Sequence, residues 1–180
     1  MGYRHSADDI LDGAVETVRA DGLHQLTFGR VAKRLGIPDR TIVYYFPTKA
    51  DLIAAVLAKV GERLQTVLGE AFQGPVDDHT EILRQAWPVL TTDDADEVFA
   101  LFFQAVGLAT AGQEPFATIL TQVMEAWRAW LVEFFTGIDD HRRAEAEAAM
   151  AVLDGLLLMR QTLGPEAAER AAAAAGITST

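Results

Sequence analysis

Apolar residues recur along this chain at intervals of three and four, and sustained alternation is missing. The first spacing builds helices with one buried face; the second would mark half-buried strands. No Asn-Gly or Asp-Gly pair sits between β-branched runs, so hairpins are not expected either. Ser6 opens a capping box with Asp9, and Ile10, Ala14 and Val18 follow at helical spacing until Asp21-Gly22. Thr27 caps a second helix that Gly36 closes, and a short third runs over 39–46 until Pro47 interrupts. Thr48 and Asp51 form another capping box. It leads a long helix over 48–72, about 25 residues or roughly 37 Å, with Leu52, Val56, Val60, Leu64 and Leu68 on one face and Gly74-Pro75 at its stop. Four more helices follow: 78–90, bent or ended at Pro88; Thr92 to Gly112; Glu114 to Thr136; and Asp139 to Leu163. An Ala-rich segment and a frayed ITST tail finish the chain.

Composition narrows the class. The 180 residues suit one ordinary domain or a domain with a small module, and half are apolar, enough for a sizeable core. There is no cysteine, which removes disulfides and thiol chemistry. No apolar run reaches the ~18 residues of a membrane span, and the first residues lack the apolar stretch of a signal peptide. A soluble cytoplasmic protein without membrane contact is expected.

Charge divides the chain. Residues 1–50 hold seven Lys/Arg and six Asp/Glu, whereas 51–180 hold eight against twenty, within a total of -11. Residues 24–49 alone hold five basic against one acidic. A small basic island on an acidic body can approach a polyanion while the body does other work.

Stepping 100° per residue along 28–35 gathers Phe28, Val31, Ala32 and Leu35 on one face and Arg30, Lys33 and Arg34 on the other. On 39–46, Ile42 and Phe46 point one way and Arg40, Thr41 and Tyr44 the opposite way. A helix-turn-helix needs this division, because its second helix must lie in the major groove with side chains at base edges. Taken singly, the basic residues read as a solvated helix face, and Tyr45 as a lid on the module's core.

The stretch TFGRVAKRLGIPDRTIVYYFPTKADL, Thr27 through Leu52, resembles the N-terminal signature of the tetracycline-repressor (TetR) family of bacterial transcription regulators. The matching positions are Thr27, Val31-Ala32, Gly36-Ile37, Thr41-Ile42, Tyr45-Phe46, Lys49 and Asp51-Leu52. Arg40 stands where that family often has Gly, and Val43 where it usually has Tyr. The resemblance implies an all-α fold: a three-helix helix-turn-helix DNA-binding module over 1–47, joined by a long helix to a ligand-binding and dimerisation bundle over 48–180. It implies DNA contacts from Thr27, Arg30, Asp39, Arg40, Thr41, Tyr44, Tyr45 and Lys49, of which Thr27, Tyr45 and Lys49 meet phosphates and Arg40, Thr41 and Tyr44 read bases. Tyr3 and Arg4 would form a short arm.

In the body, 144–163 is apolar on more than one face, with small residues that permit close helix approach. The resemblance makes 114–136 and 139–163 a homodimer interface, with Ala148, Ala151, Val152, Gly155 and Met159 at the seam. It also implies a small-molecule pocket among the aromatic residues, for which Trp87, Phe103, Met124 and Trp127 are the candidates, with Gln104, Thr110, Gln122 and Arg128 as orienting groups. The expected function is a ligand-responsive repressor that binds a palindromic double-stranded operator and is released by a small, largely apolar effector. The alternative is an all-helical dimeric enzyme or adaptor whose basic island holds an anionic metabolite or protein. Catalysis, metals and cofactors are not expected. The histidines His5, His24, His79 and His141 are scattered, Asp77-Asp78-His79 and Asp139-Asp140-His141 read as helix starts, and no P-loop, dinucleotide fingerprint or nucleophile elbow is present.

Overall fold

A computed structural model describes residues 6–178, and within them the elements are α-helices and one 3-10 turn. Tyr3, Arg4 and His5 lie outside the described residues, as do Ser179 and Thr180. The order is α1 (Ala7–Asp21), a 3-10 turn (Leu23–Gln25), α2 (Phe28–Leu35), α3 (Asp39–Tyr45), α4 (Lys49–Ala71), α5 (His79–Leu90), α6 (Asp93–Thr110), α7 (Phe116–Val132), α8 (Asp139–Leu163) and α9 (Pro165–Ala174).

Local chemistry sets most boundaries. The Ser6 and Thr48 capping boxes form as spaced, each satisfying orphan amides from both ends of the motif. Thr27 accepts from Arg30 N–H, and Gly36 ends α2 at φ 67°, ψ 31°, a left-handed conformation that costs glycine little. The proline at 88 stays within α5, which continues to Leu90. Two expectations fail for non-local reasons. α7 stops at Val132 instead of reaching Thr136, because the chain beyond it pairs with Val76: Val76 N–H donates to Phe134 O and Thr136 N–H to Val76 O, both at 2.9 Å. The tail is not frayed at Ile177, which is 4 % exposed and donates its N–H to Ala172 O at 2.9 Å.

Two apolar cores result. The first joins α1, α2 and α3 to the N-terminal half of α4 through Ile10, Val31, Ile42, Leu52 and Val56, with Leu101 and Ala105 of α6 closing it. The second lies among α5, α7, α8 and α9 around Leu83, Trp87, Leu90, Leu131 and Leu157. α4 serves both, since Leu68 belongs to the second core. At Gly13 the approach of α1 to α2 is so close that an added Cβ would lie 2.7 Å from Leu35 Cδ2, so a side chain there would require Leu35 to shift.

Candidate nucleic-acid interface and interior cavity

α3 is seven residues long, and its burial is lopsided. Ile42 is fully buried and Phe46 packs on the same core, which fixes the helix on α1 and α2. The opposite side stands in solvent: Val43 is 41 %, Tyr44 79 % and Tyr45 37 % exposed. Arg40 is exposed beside them, Thr41 is half-buried, and the rings of Tyr44 and Tyr45 meet edge to face at 5.0 Å. Thr27, Asp39 and Lys49 are exposed at the first turns of their helices.

The basic residues of the island fall into two groups. Arg30 Nη1 pairs with Asp21 Oδ2 at 3.0 Å, and Arg34 Nε donates to Thr17 Oγ1 at 3.0 Å, so both tie α2 to α1. Thr17, itself 1 % exposed, donates its hydroxyl to Gly13 O within α1 at 2.7 Å, which leaves its oxygen facing Arg34. Lys33, Arg40 and Lys49 make no ion pair or side-chain hydrogen bond among the described residues. Three exposed cations without an internal partner, an exposed phenol and the helix N-termini of one module suit a polyanion with readable edges.

The module is coupled to the body at two places. On α4, Lys59 Nζ lies 2.5 Å from Asp8 Oδ1 and 2.8 Å from Asp12 Oδ1, and Arg63 Nη2 reaches Asp12 Oδ1 at 2.8 Å. Hydrogen bonding to Lys59 holds the Asp12 carboxyl below its ordinary range and keeps the lysine above its own. On α6, Gln104 Oε1 accepts the N–H of Leu23 at 3.0 Å, and Arg19 lies 3.4 Å from Glu97. Gln104 is therefore a tie to the 3-10 turn rather than an orienting group for a ligand.

α4 to α8 enclose an apolar cavity of about 100 Å³. Met124 and Trp127 line it, together with the rings of Phe72, Phe99 and Phe102. Trp87 and Phe103 are not in its wall. Trp87 is 3 % exposed, and its indole N–H donates to Glu169 Oε2 on α9 at 2.8 Å, so it belongs to the second core. Phe103 meets the rings of Phe99 and Phe102 at tilted angles, with centroids 6.3 and 5.4 Å away. Thr110 donates back to Val106 O in its own helix, and Arg128 pairs with Glu125 and Glu147. The one ionisable side chain in the wall is Asp154 of α8, half-buried. Burial pushes its carboxyl up to about 6. Sequence reasoning passed over it, although an acid inside the apolar run 148–159 is a visible signal.

Along α8 the candidate seam residues form an outward stripe. Ala151 and Gly155 are exposed, Ala148, Val152 and Met159 are half-buried, and Leu158 is 48 % exposed beside them. A Cβ added at Gly155 would meet nothing within 4 Å, so the backbone there is open to close approach. The histidines are less scattered than their spacing suggests. His79 Nδ1 and backbone N–H both meet Glu145 Oε2 at 2.8 Å, and His141 lies 4.0 Å from Glu145. This sews the start of α5 to α8, and the His79 hydrogen bonds hold the Glu145 carboxyl below its ordinary range. Among the described residues no group of three His, Asp or Glu side chains is arranged to hold a metal ion, and no single helix is long and apolar enough to cross a membrane.

Residues 10–56 match the sequence profile of the bacterial regulatory proteins of the tetR family. The fatty acid metabolism regulator protein of Bacillus subtilis (strain 168) is 35 % identical over 57 residues, which are 31 % of this chain and 29 % of that protein. The match thus spans under a third of that relative's length. Likeness to solved structures runs the whole chain. A TetR transcription regulator from Haloarcula marismortui ATCC 43049 superposes with a TM-score of 0.67 at 20 % identity, covering 93 % of this chain and 94 % of that one. The multidrug binding protein EbrR, solved with malachite green, superposes with a TM-score of 0.69 at 22 % identity, covering 98 % and 99 %. The signature falls on the helix-turn-helix and the superpositions extend over the bundle behind it. Residues 10–56 thus carry a helix-turn-helix similar to that of the tetR family of bacterial regulatory proteins, and the whole chain shares the fold of these solved structures.

Proposed function

We propose that this protein is a ligand-responsive transcriptional repressor that binds a palindromic DNA operator as a homodimer. The observation that carries the reading is the division of α3: Ile42 has no exposure, while Arg40, Val43 and Tyr44 stand in solvent on the far side. A helix anchored so firmly by one side and so bare on the other suits a major groove. In this reading Arg40, Thr41 and Tyr44 read base edges, with Asp39 beside them as an acceptor for a cytosine amino group. Thr27, Tyr45 and Lys49 fix register on phosphates, and Arg30 adds positive potential while it braces α1. Residues 1–47 form the reading module and 48–180 the sensing and pairing body.

Pairing through α7 and α8, with Ala148, Ala151, Val152, Gly155 and Met159 at the seam, sets two copies of α3 one helical turn of DNA apart, about 34 Å, or a multiple of it. The effector enters the cavity beside Met124 and Trp127. That cavity, about 100 Å³, is smaller than the ~300 Å³ at the low end of ligand pockets, so a ligand must part its walls. A ligand that prefers the parted arrangement shifts the population toward it. α4 and α6 line the cavity and also hold the module, so their displacement moves α1 through Lys59 and the 3-10 turn through Gln104.

A mobility-shift titration on DNA flanking the protein's own coding sequence, repeated across salt concentrations, tests the reading. The expected result is saturable preference for one fragment and a steep fall of log affinity with log salt. A flat salt response with no preferred fragment would favour an adaptor or enzyme whose basic island holds some other anion.

A further inference from the structure

Within the cavity, Asp154 is out of keeping with everything around it. The other lining side chains are apolar apart from the indole N–H of Trp127, which lies 3.5 Å from where a Cβ on Gly61 would be. No hydrogen bond or ion pair from the described residues reaches the Asp154 carboxyl. Three other acids on α8 are paired, Asp139 with Arg142, Glu145 with His79 and Glu147 with Arg128, and Asp140 stands exposed to water. An unpartnered carboxylate beside hydrocarbon is unfavourable unless another state supplies a counter-charge. Aromatic rings in the same wall, Phe72, Phe99, Phe102 and Trp127, offer negative faces to a cation.

We propose that the effector of this cavity is a lipophilic cation and that Asp154 is its counter-ion. The inference rests on the cavity being the effector site and adds the charge of its ligand. A neutral apolar molecule would leave the carboxylate buried and unpaired. An anion would be repelled by it. A cationic centre flanked by aromatic or aliphatic groups satisfies the acid and the rings at once. The raised proton affinity of the carboxyl agrees with a site built around an absent positive charge.

Calorimetric titration of the full-length protein with two matched pairs of probes tests this. The first pair is malachite green and its uncharged leuco form; the second, smaller pair is benzyltrimethylammonium and its carbon isostere neopentylbenzene. Release of bound DNA is read in parallel. The expected result is that each cation binds at least tenfold more tightly than its neutral partner. Asp154→Asn is expected to abolish that preference and Asp154→Glu to keep it. Cations and neutral partners binding wild type equally, or Asp154→Asn leaving the preference intact, would overturn the counter-ion while leaving the cavity as the effector site. No binding and no DNA release with any of the four probes would overturn the lipophilic-cation effector and the cavity reading together.

Discussion

A phenol left 79 % exposed beside a valine at 41 %, on a helix of seven residues, leaves apolar surface in water with no internal gain. In the proposed reading, contact with a duplex supplies the gain, and each side chain then has its own signature. Arg40→Ala is expected to cost about 1–3 kcal/mol on the preferred sequence and to relax one base position. Lys49→Ala is expected to weaken all sequences alike and lower the salt slope by about one. Binding titrations on preferred and scrambled duplexes separate the two; equal losses on both duplexes from both variants would contradict the assignment. Asp154 gives a second test at this scale. Its folded value, about 6, lies above the ordinary 3.8. The folded protein therefore retains a proton that the unfolded chain has released between those values. The stability this proton contributes is complete below about pH 4 and lost as pH rises through 6. Asn at 154 is neutral throughout, so Asp154→Asn is expected to be more stable than wild type by on the order of 2 kcal/mol at pH 7.5. Denaturant unfolding should show the gap closing toward pH 4; a gap independent of pH would contradict the cause given.

Among the elements, what was legible in the sequence was local. The Ser6, Thr27 and Thr48 caps and the Gly36 stop act within four residues of themselves, so the starts of α1, α2 and α4 could be read directly. The opposed faces of α3 follow from periodicity alone. What the sequence hid depends on distant partners. The end of α7 is set by Val76, 59 residues from Phe135, and Trp87 is drawn into the core by Glu169, 82 residues away. Gln104 has the same character: it reads as an orienting group for a ligand until Leu23 folds against it. Gln104→Ala removes the acceptor for a part-buried N–H and is expected to cost about 1 kcal/mol. Hydrogen exchange should show faster exchange at Leu23, with little change in α8. Unchanged exchange at Leu23 would mean that α6 does not hold the module.

For the whole molecule, the two cores share α4, and the charge is divided between a basic end and an acidic body. In the proposed reading, that arrangement presents DNA with one face and repels it from the rest. In the proposed reading, pairing turns one reading head into a measuring device. Leu158→Glu, placed on the exposed α8 stripe, is expected to yield monomers by light scattering. It should reduce operator affinity far more than it reduces folding stability. A variant that stays dimeric, or a monomer that binds the operator as tightly, would contradict the α8 seam. The central claim, that the bare side of α3 reads a two-fold DNA site, is tested most directly by selecting duplexes from a random-sequence pool with the purified protein. The predicted outcome is a palindromic consensus with half-sites a whole number of helical turns apart, one base position of which Arg40→Ala randomises. A pool that remains random after repeated rounds, or a consensus unchanged by Arg40→Ala and Tyr44→Ala, would contradict it.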